Sequence, residues 1–447
     1  MSVPLIIKLS MEINEIKRQM KILWKDTFHD SDEYISMIFD NYFKEDLIAY
    51  KTENEDTVVS ALLGIPYRFR YSGTSVNALY LCGLATKESY RRMGIMDSLL
   101  KEINDKSTGR FDFTFLIPAS SGLEKYYNDR GYRSAIYRVT ERYTSAHGFK
   151  KAYYKFLEAQ DRMVGNLKKN YFDTLTVREF TKENIKSCIS EIIDFITKIE
   201  TDSTYPVLLH SPKDISLIIA DNLSSGGRIY VCEDCDSQIK GIAFSISDDE
   251  QIIIPKIYSS DNCACLKLLD YVKREYPDSS ITLYRFPEED NQTAVWSKYY
   301  IAQVPGTIAD TVESTYRVYK ASEHSKTYGM VRILNVREIL KFATEYQGDV
   351  KFSILVNVSD NGILTQKDCG GAQPRYVAAR ASGRNLEYEC IPTDTITEYK
   401  KRNPDAIELS LHDLENLLFR KNKEGEDIIM KTMGIPRLPL NMALMLD

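Results

Sequence analysis

Residues Tyr90–Met96 read YRRMGIM, placing two guanidinium groups and a glycine between an apolar run, ALYLCGLA, and a helical pattern, MGIMDSLLKEI. The pattern predicts a strand ending near Ala85 and a helix beginning near Arg92. The first turn of a helix presents unpaired amide N–H groups and the positive end of the dipole, so anions bind there readily. Gly94 lets the main chain approach a ligand with no Cβ in the way. Arg91 and Arg92 add forked donors suited to phosphate oxygens. The chemistry indicated is the grip of a pyrophosphate. Taken alone, the same stretch also reads as a solvated arginine pair before an ordinary helix.

The elements that must position this turn follow from periodicity. Ile13, Ile16, Met20 and Leu23 have near-helical spacing, and residues 11–43 read as two helices. Asp30–Glu33 has the spacing of an acidic capping box before the second; its carboxylates, with Asp26 and Asp32, could also attract a polyamine. LIAYKTENEDTVVSALLGIPYRFRY reads as a hairpin, followed by the strand ALYLCGLA. Phe111, Phe113, Phe115 and Ile117 alternate as a strand. SSGLEKYYNDRGY reads as a short helix with Ser121 and Glu124 as a capping box and Gly131 just beyond its end.

The order strand, strand, strand, helix, strand then returns in RIYVCEDCDSQIKGIAFSI, IIIPKIYS, NCACLKLLDYVKREY and SITLYRFPE. The likeness is one of pattern, not of letters. Where the first copy has YRRMGIM, the second has SSDNCAC, with neither basic residue nor glycine. Residues 326–447 differ again. GDVKFSILVNVSDNGILT suggests strands about an Asp-Asn-Gly turn, RYVAARA and LEYECI are further strands, and SLHDLENLLF is an amphipathic helix.

A chain of 447 residues suggests two to four domains. A formal charge of −6 argues against a nucleic-acid partner and favours a cationic one. No stretch approaches the roughly 18–20 apolar residues of a membrane span, and VPLIIKL is too short for a secretory core, so a cytoplasmic protein is expected. Eight cysteines are scattered, not arranged as a small disulfide scaffold. CEDC at 232–235 and the Cys263/Cys265 pair fall short of two zinc-ribbon pairs, and the five histidines have no ligand spacing, so no metal is expected.

With these residues in view, residues 1–146 resemble the GNAT superfamily of N-acetyltransferases. That family's acetyl-CoA motif is Arg or Gln, two residues, Gly, one residue, then Gly or Ala, after its fourth strand. Arg91, Arg92, Met93, Gly94, Ile95 and Met96 match it, with Met96 in place of the final small residue. The resemblance implies that Leu84, Ala85 and Thr86 offer backbone groups to the pantetheine arm, and that the amides of Arg92 to Asp97 hold the pyrophosphate. It implies that the tyrosine of YNDRGY, Tyr127, protonates the departing CoA thiolate; a phenol with an ordinary pKa near 10 is protonated at neutral pH. Tyr126 is adjacent, so one of the two packs inward, and spacing favours Tyr127 as donor. Ser120 and Ser121 would lie near the sulfur. Cys82 is expected to pack rather than attack.

The whole chain resembles the enhanced-intracellular-survival (Eis) type of acetyltransferase. The expected fold class is α+β (mixed α/β): two tandem GNAT-like mixed sheets flanked by helices, at 1–146 and, without the motif, at 147–325, then a sterol-carrier-like α+β domain at 326–447. The resemblance implies a C-terminal carboxylate acting as base in the first domain's site. The apolar ending RLPLNMALMLD, uncharged after Arg437 until Asp447, fits docking of that tail. Members of the family form hexamers, so a homo-oligomer is implied. The expected activity is direct acetyl transfer from acetyl-CoA to primary amines of a polycationic small molecule, aminoglycoside-like or polyamine. The alternatives are a protein or peptide lysine acceptor, and a non-catalytic acyl-CoA or lipid-binding protein.

Overall fold

The computed structural model describes residues 12–54, 56–144, 148–150, 171–248, 251–289, 299–303, 316–320, 322–358, 376–419 and 434–442. Helix α1 (Ile13–Phe28) buries Ile16, Met20, Leu23 and Trp24 on one face, as their spacing requires. Helix α2 (Asp32–Tyr42) is capped by the Ser31 side chain, which accepts from the Tyr34 amide at 3.1 Å. The expected acidic capping box does not form there; the Asp30 carboxylate instead accepts from Trp24 Nε1 at 2.7 Å.

Strands β1 (Ile48–Glu53), β2 (Thr57–Tyr71) and β3 (Thr74–Thr86) form an antiparallel meander. Ser72 and Gly73, at φ of 45° and 88°, make the two-residue turn that twisted strands prefer. Helix α3 (Ile95–Ser107) crosses over to β4 (Phe113–Leu116), which pairs parallel to β3. Helix α4 (Ser121–Asn128) leads to β5 (Arg133–Tyr143).

The same order recurs. After β6 (Thr176–Phe180), helix Ile189–Thr201, β7 (Val207–Leu209) and helix Pro212–Ser224 come β8 (Arg228–Glu233), β9 (Ile239–Asp248) and β10 (Gln251–Ser259). These three strands are antiparallel, helix Asn262–Glu275 crosses over, and β11 (Ser280–Arg285) runs parallel to β10. The two meanders lie in one mixed sheet of 12 strands, because β11 pairs antiparallel with β5. Helix α3 covers one apolar cluster and helix Asn262–Glu275 covers another. The opposite faces share a single larger core.

A short pair, β12 (Tyr299–Gln303) and β13 (Tyr316–Lys320), precedes β14 (Ser322–Ile333). The position of β14 is not apparent in the sequence: it threads between β4 and β5, antiparallel to both, inside the first unit's sheet. Beyond it, helix Val336–Gln347, β15 (Lys351–Asn357), β16 (Tyr376–Ser382), β17 (Asn385–Ile391), helix Ile396–Arg402, β18 (Ile407–Ser410) and helix Leu411–Leu418 build a four-stranded sheet with helices. The expected Asp-Asn-Gly turn lies outside the described residues. Cys390 is disulfide-bonded, whereas Cys82, Cys188, Cys232, Cys235, Cys263 and Cys265 are free.

Candidate acetyl-transfer site

Strands β3 and β4 pair at three positions, ending with Tyr80 opposite Phe115. Strand β3 then runs six residues further to Thr86 while β4 stops at Leu116. The result is a wedge, with Leu81–Thr86 held along one edge by β2. Inside the wedge β3 bulges: Cys82 faces Leu63 and Ala85 faces Ala61, leaving one extra residue on β3. Gly83 takes φ +60° there, and a Cβ on it would lie 2.2 Å from the Trp24 ring. Both the left-handed backbone and the indole require glycine. The sequence signal was available as a glycine interrupting an apolar strand.

Leu84, Ala85 and Thr86 close β3. The Ser60 hydroxyl bonds the Ala85 carbonyl at 3.1 Å and the Thr86 hydroxyl at 2.8 Å, fixing this end of the strand. Arg91 Nε donates to the Thr86 carbonyl at 3.1 Å. Arg91, Arg92, Met93 and Gly94 are exposed. Arg92 and Gly94 are both left-handed, at φ of 65° and 75°, and a Cβ on Gly94 would meet nothing within 4 Å. Gly94 is the N-cap of α3 and supplies no side-chain cap. The amides of Ile95, Met96 and Asp97 therefore open a helix whose positive end is bare. Met96, the departure from the family motif, leans on the cluster beneath α3.

Asp97 does not cap the helix either. It takes two hydrogen bonds from Arg130, at 2.6 and 2.8 Å, and one from Tyr126 at 2.5 Å. The Arg130 bonds hold its carboxyl below the usual range. Tyr126 is thus committed to Asp97 and covered by the Arg130 guanidinium 3.4 Å from its ring centre; burial and the Asp97 bond push its pKa up to about 12.

Ser120, not Ser121, caps α4, accepting from the Leu123 amide at 3.3 Å; Ser121 is the first helical residue and the expected Ser121–Glu124 box is absent. Tyr127 lies on the inner face of α4, 7% exposed, against Tyr126 and Tyr132. Among the described residues its hydroxyl makes no hydrogen bond, and burial raises its pKa well above the ordinary value. It is a protonated phenol near the wedge. The corner after α4 is fixed by Gly131 at φ +83° and by Arg332 on β14, whose Nη1 donates to the Arg130 carbonyl at 2.6 Å. Cys82 is buried and points its thiol at the Leu63 carbonyl, a packing role.

The wedge and the bare helix end lie together, with Tyr127 on the neighbouring helix. Asp447 lies outside the described residues, but the segment before it enters the core. Leu438, Leu440, Asn441 and Met442 are at most 1% exposed. The Asn441 amide donates to the Pro206 carbonyl at 3.1 Å, and its carbonyl accepts from the Leu208 amide at 2.8 Å. The Met442 methyl lies 3.1 Å from where a Cβ on Gly329 would sit, and Gly329 adjoins Met330, the partner of Leu116 at the end of β4. Among the described residues no group of three or more His, Cys, Asp or Glu could hold a metal, and no helix is long and apolar enough to cross a membrane.

Comparison with known proteins adds the chemistry. Residues 11–135 match the family described as the acetyltransferase (GNAT) domain. A conserved protein of Enterococcus faecalis V583, described as a probable N-acyltransferase, superposes with a TM-score of 0.62 at 11% identity, over 96% of this chain and 97% of that one. A GCN5-related N-acetyltransferase from Kribbella flavida gives 0.61 at 13% identity, over 98% and 97%. Eis1 from Mycobacterium abscessus gives 0.56 at 10% identity, over 92% and 89%. No curated protein matches the sequence. At these identities the structures speak for the fold, while the domain match speaks for the reaction. The chain is an acyltransferase carrying a GNAT-type acetyltransferase domain.

Proposed function

We propose that this acyltransferase moves an acetyl group directly from acetyl-CoA to a primary amine of a polycationic small molecule. The observation that carries this reading is the wedge itself: β3 outruns β4, bulges at Gly83 and ends on an uncapped helix start flanked by Arg91 and Arg92. Leu84, Ala85 and Thr86 would take the pantetheine arm, the amides of Arg92 to Asp97 the pyrophosphate, and Ser120 and Ser121 the sulfur end. Acetyl-CoA fits these donors, since the helix start has no side-chain cap and a Cβ on Gly94 would meet nothing within 4 Å.

The neutral amine attacks the acetyl carbon, the carbon–sulfur bond breaks, and Tyr127 gives its proton to the sulfur. The ammonium proton leaves to a carboxylate or a water, with Asp447 as the proposed base. From Met442 an extended chain covers roughly 3.3–3.6 Å per residue, enough for five residues to span on the order of 17 Å. An ordinary α-carboxyl pKa near 3.5 makes this a weak base, so a water relay or desolvation has to assist.

A cationic acceptor is supported by the far side of the wedge. Trp24 stacks on Gly83 and holds Asp30, and Asp30 lies close enough to Asp221 to add to the burial that raises the Asp221 pKa. We take these two neighbouring carboxylates, behind the indole that packs on Gly83, as the pair that would favour an ammonium. We also take 147–325 as a degenerate second GNAT-like domain and 326–447 as the sterol-carrier-like one.

Calorimetric titration with CoA, followed by thiol release from acetyl-CoA with aminoglycosides, polyamines and lysine peptides, tests the reading. CoA binding with turnover on the polyamines or aminoglycosides is expected. Turnover on peptides alone would transfer the activity to protein lysines. Silence in both assays would leave a binding protein.

A further inference from the structure

The second unit repeats the wedge. Strand β10 pairs with β11 from Gln251 to Ile254, then continues to Ser259 as the two diverge. It also bulges, between Ile253 and Lys256, as β3 does. In the first unit the corresponding gap leads to an anion-seeking helix start. In the second, the start of helix Asn262–Glu275 is closed by Asp261, whose carboxylate accepts from the Ala264 amide at 2.9 Å and the Tyr171 hydroxyl at 3.2 Å. A carboxylate sits where a phosphate would have to sit, so CoA with its diphosphate is excluded.

The gap between β10 and β11 is not filled. A cavity of about 380 Å³ occupies it, walled by Lys256–Ser259 of β10 with Ser260 beyond it, Leu283–Arg285 of β11 with Phe286 beyond it, the end of β5 and the loop at 202–205. That size falls within the range of small-molecule sites. Its walls carry buried charges that are already matched. Lys256 pairs with Glu289, Arg285 with Glu141, and Glu200 accepts from Tyr258 at 3.0 Å and bonds His210 at 2.7 Å. A hollow lined by such groups does not stay dry, and replacing buried pairs by apolar residues would often stabilise the fold. With Lys198 and Asp202 also in the lining, three basic groups face four carboxylates, which leaves no positive excess for a phosphate. Diverging strand edges and tyrosine walls favour a chain with amide groups.

We propose that this second wedge binds an uncharged, amide-bearing chain of the pantetheine type, without phosphate. The inference rests on the repeated topology and the cavity, independently of the reaction proposed for the first wedge. Pantetheine is the probe. With the full-length protein saturated in CoA, calorimetry should show one further equivalent of pantetheine binding. Ser259→Phe, at the end of β10, and Thr204→Trp, on the loop, should each weaken this binding at least tenfold and leave the CoA titration unchanged. Unaltered CoA heats also report that each variant is folded. No pantetheine heat in the CoA-saturated protein, or heat that neither variant alters, overturns the proposal. If CoA itself does not bind, the proposed reaction falls, and pantetheine titrated alone against the two variants still reads the second wedge.

Discussion

Tyr126 and Tyr127 are consecutive on one helical turn yet stand in different settings. Tyr126 donates to an ionised Asp97 and lies under Arg130, so its proton is held; Tyr127 is buried with its hydroxyl unengaged among the described residues. A proton donor has to be able to turn to the sulfur, and only the second is free to do so. Tyr127→Phe should lower kcat about 100-fold, at the low end for loss of general acid catalysis, and leave CoA affinity unchanged. A variant turning over at the wild-type rate would assign the proton to another group. Gly83 makes a second residue-scale case. Alanine there must adopt φ +60° and push into Trp24. The left-handed backbone costs about 1–2 kcal/mol and overpacking about 1–3 more. A melting temperature lowered by several degrees is expected, and an unchanged melt would mean that the bulge relaxes freely.

At the scale of elements, the helix bearing Tyr127 is braced by a distant part of the chain. Arg133, at the start of β5, donates to the Asn128 and Tyr132 carbonyls at 2.7 Å and meets His412 and Glu415 from helix Leu411–Leu418. Glu415 also accepts from the Ile333 amide at 3.3 Å. Burial pushes the Glu415 pKa up to about 8, with Arg133 only partly opposing it. The folded protein thus keeps a proton there that the unfolded chain loses near 4.5. Stability from this group is full below pH 4.5 and is lost as pH rises through about 8. Glu415→Gln should flatten the fall in melting temperature between those limits, and a slope equal to wild type would contradict the assignment. This brace could not be read in the sequence, because β14 owes its place to partners 180 or more residues away, Phe113–Leu116 and Arg133–Arg142. Local signals fared better: α1, α2, α4 and the strand before the RRMG turn stand where periodicity puts them, while α3 begins at Ile95 and not near Arg92, because Arg92 and Gly94 are left-handed. The caps fall one residue aside, on Ser31 and Ser120, because several polar residues in a row compete for one cap.

At the scale of the molecule, one layout is used twice with opposite electrostatics, a bare helix start in the first unit and an aspartate-capped one in the second. That contrast was legible in the letters YRRMGIM and SSDNCAC, whereas the fusion of both meanders into one sheet through β5 and β11 needed the fold. The closing segment then ties the parts together. The Leu438 amide donates to the Leu418 carbonyl at 2.7 Å, Asn441 bridges to Pro206 and Leu208, and Arg437 pairs with Glu288 at 2.6 Å. Ile435, Leu438, Leu440 and Met442 are buried, each contributing about 1.5–3 kcal/mol as an upper estimate. Their sum is comparable with the roughly 5–15 kcal/mol that holds an ordinary domain folded. Two truncations should therefore behave differently. Ending the chain after Met442 keeps every one of these contacts, so the melt should hold while acetyl transfer slows, Asp447 being lost. Ending it before Ile435 should lower the melting temperature sharply and expose apolar surface to a hydrophobic dye. If the shorter chain melts like the full one, the segment only decorates the surface; if the longer one turns over at full rate, the base lies elsewhere than at Asp447.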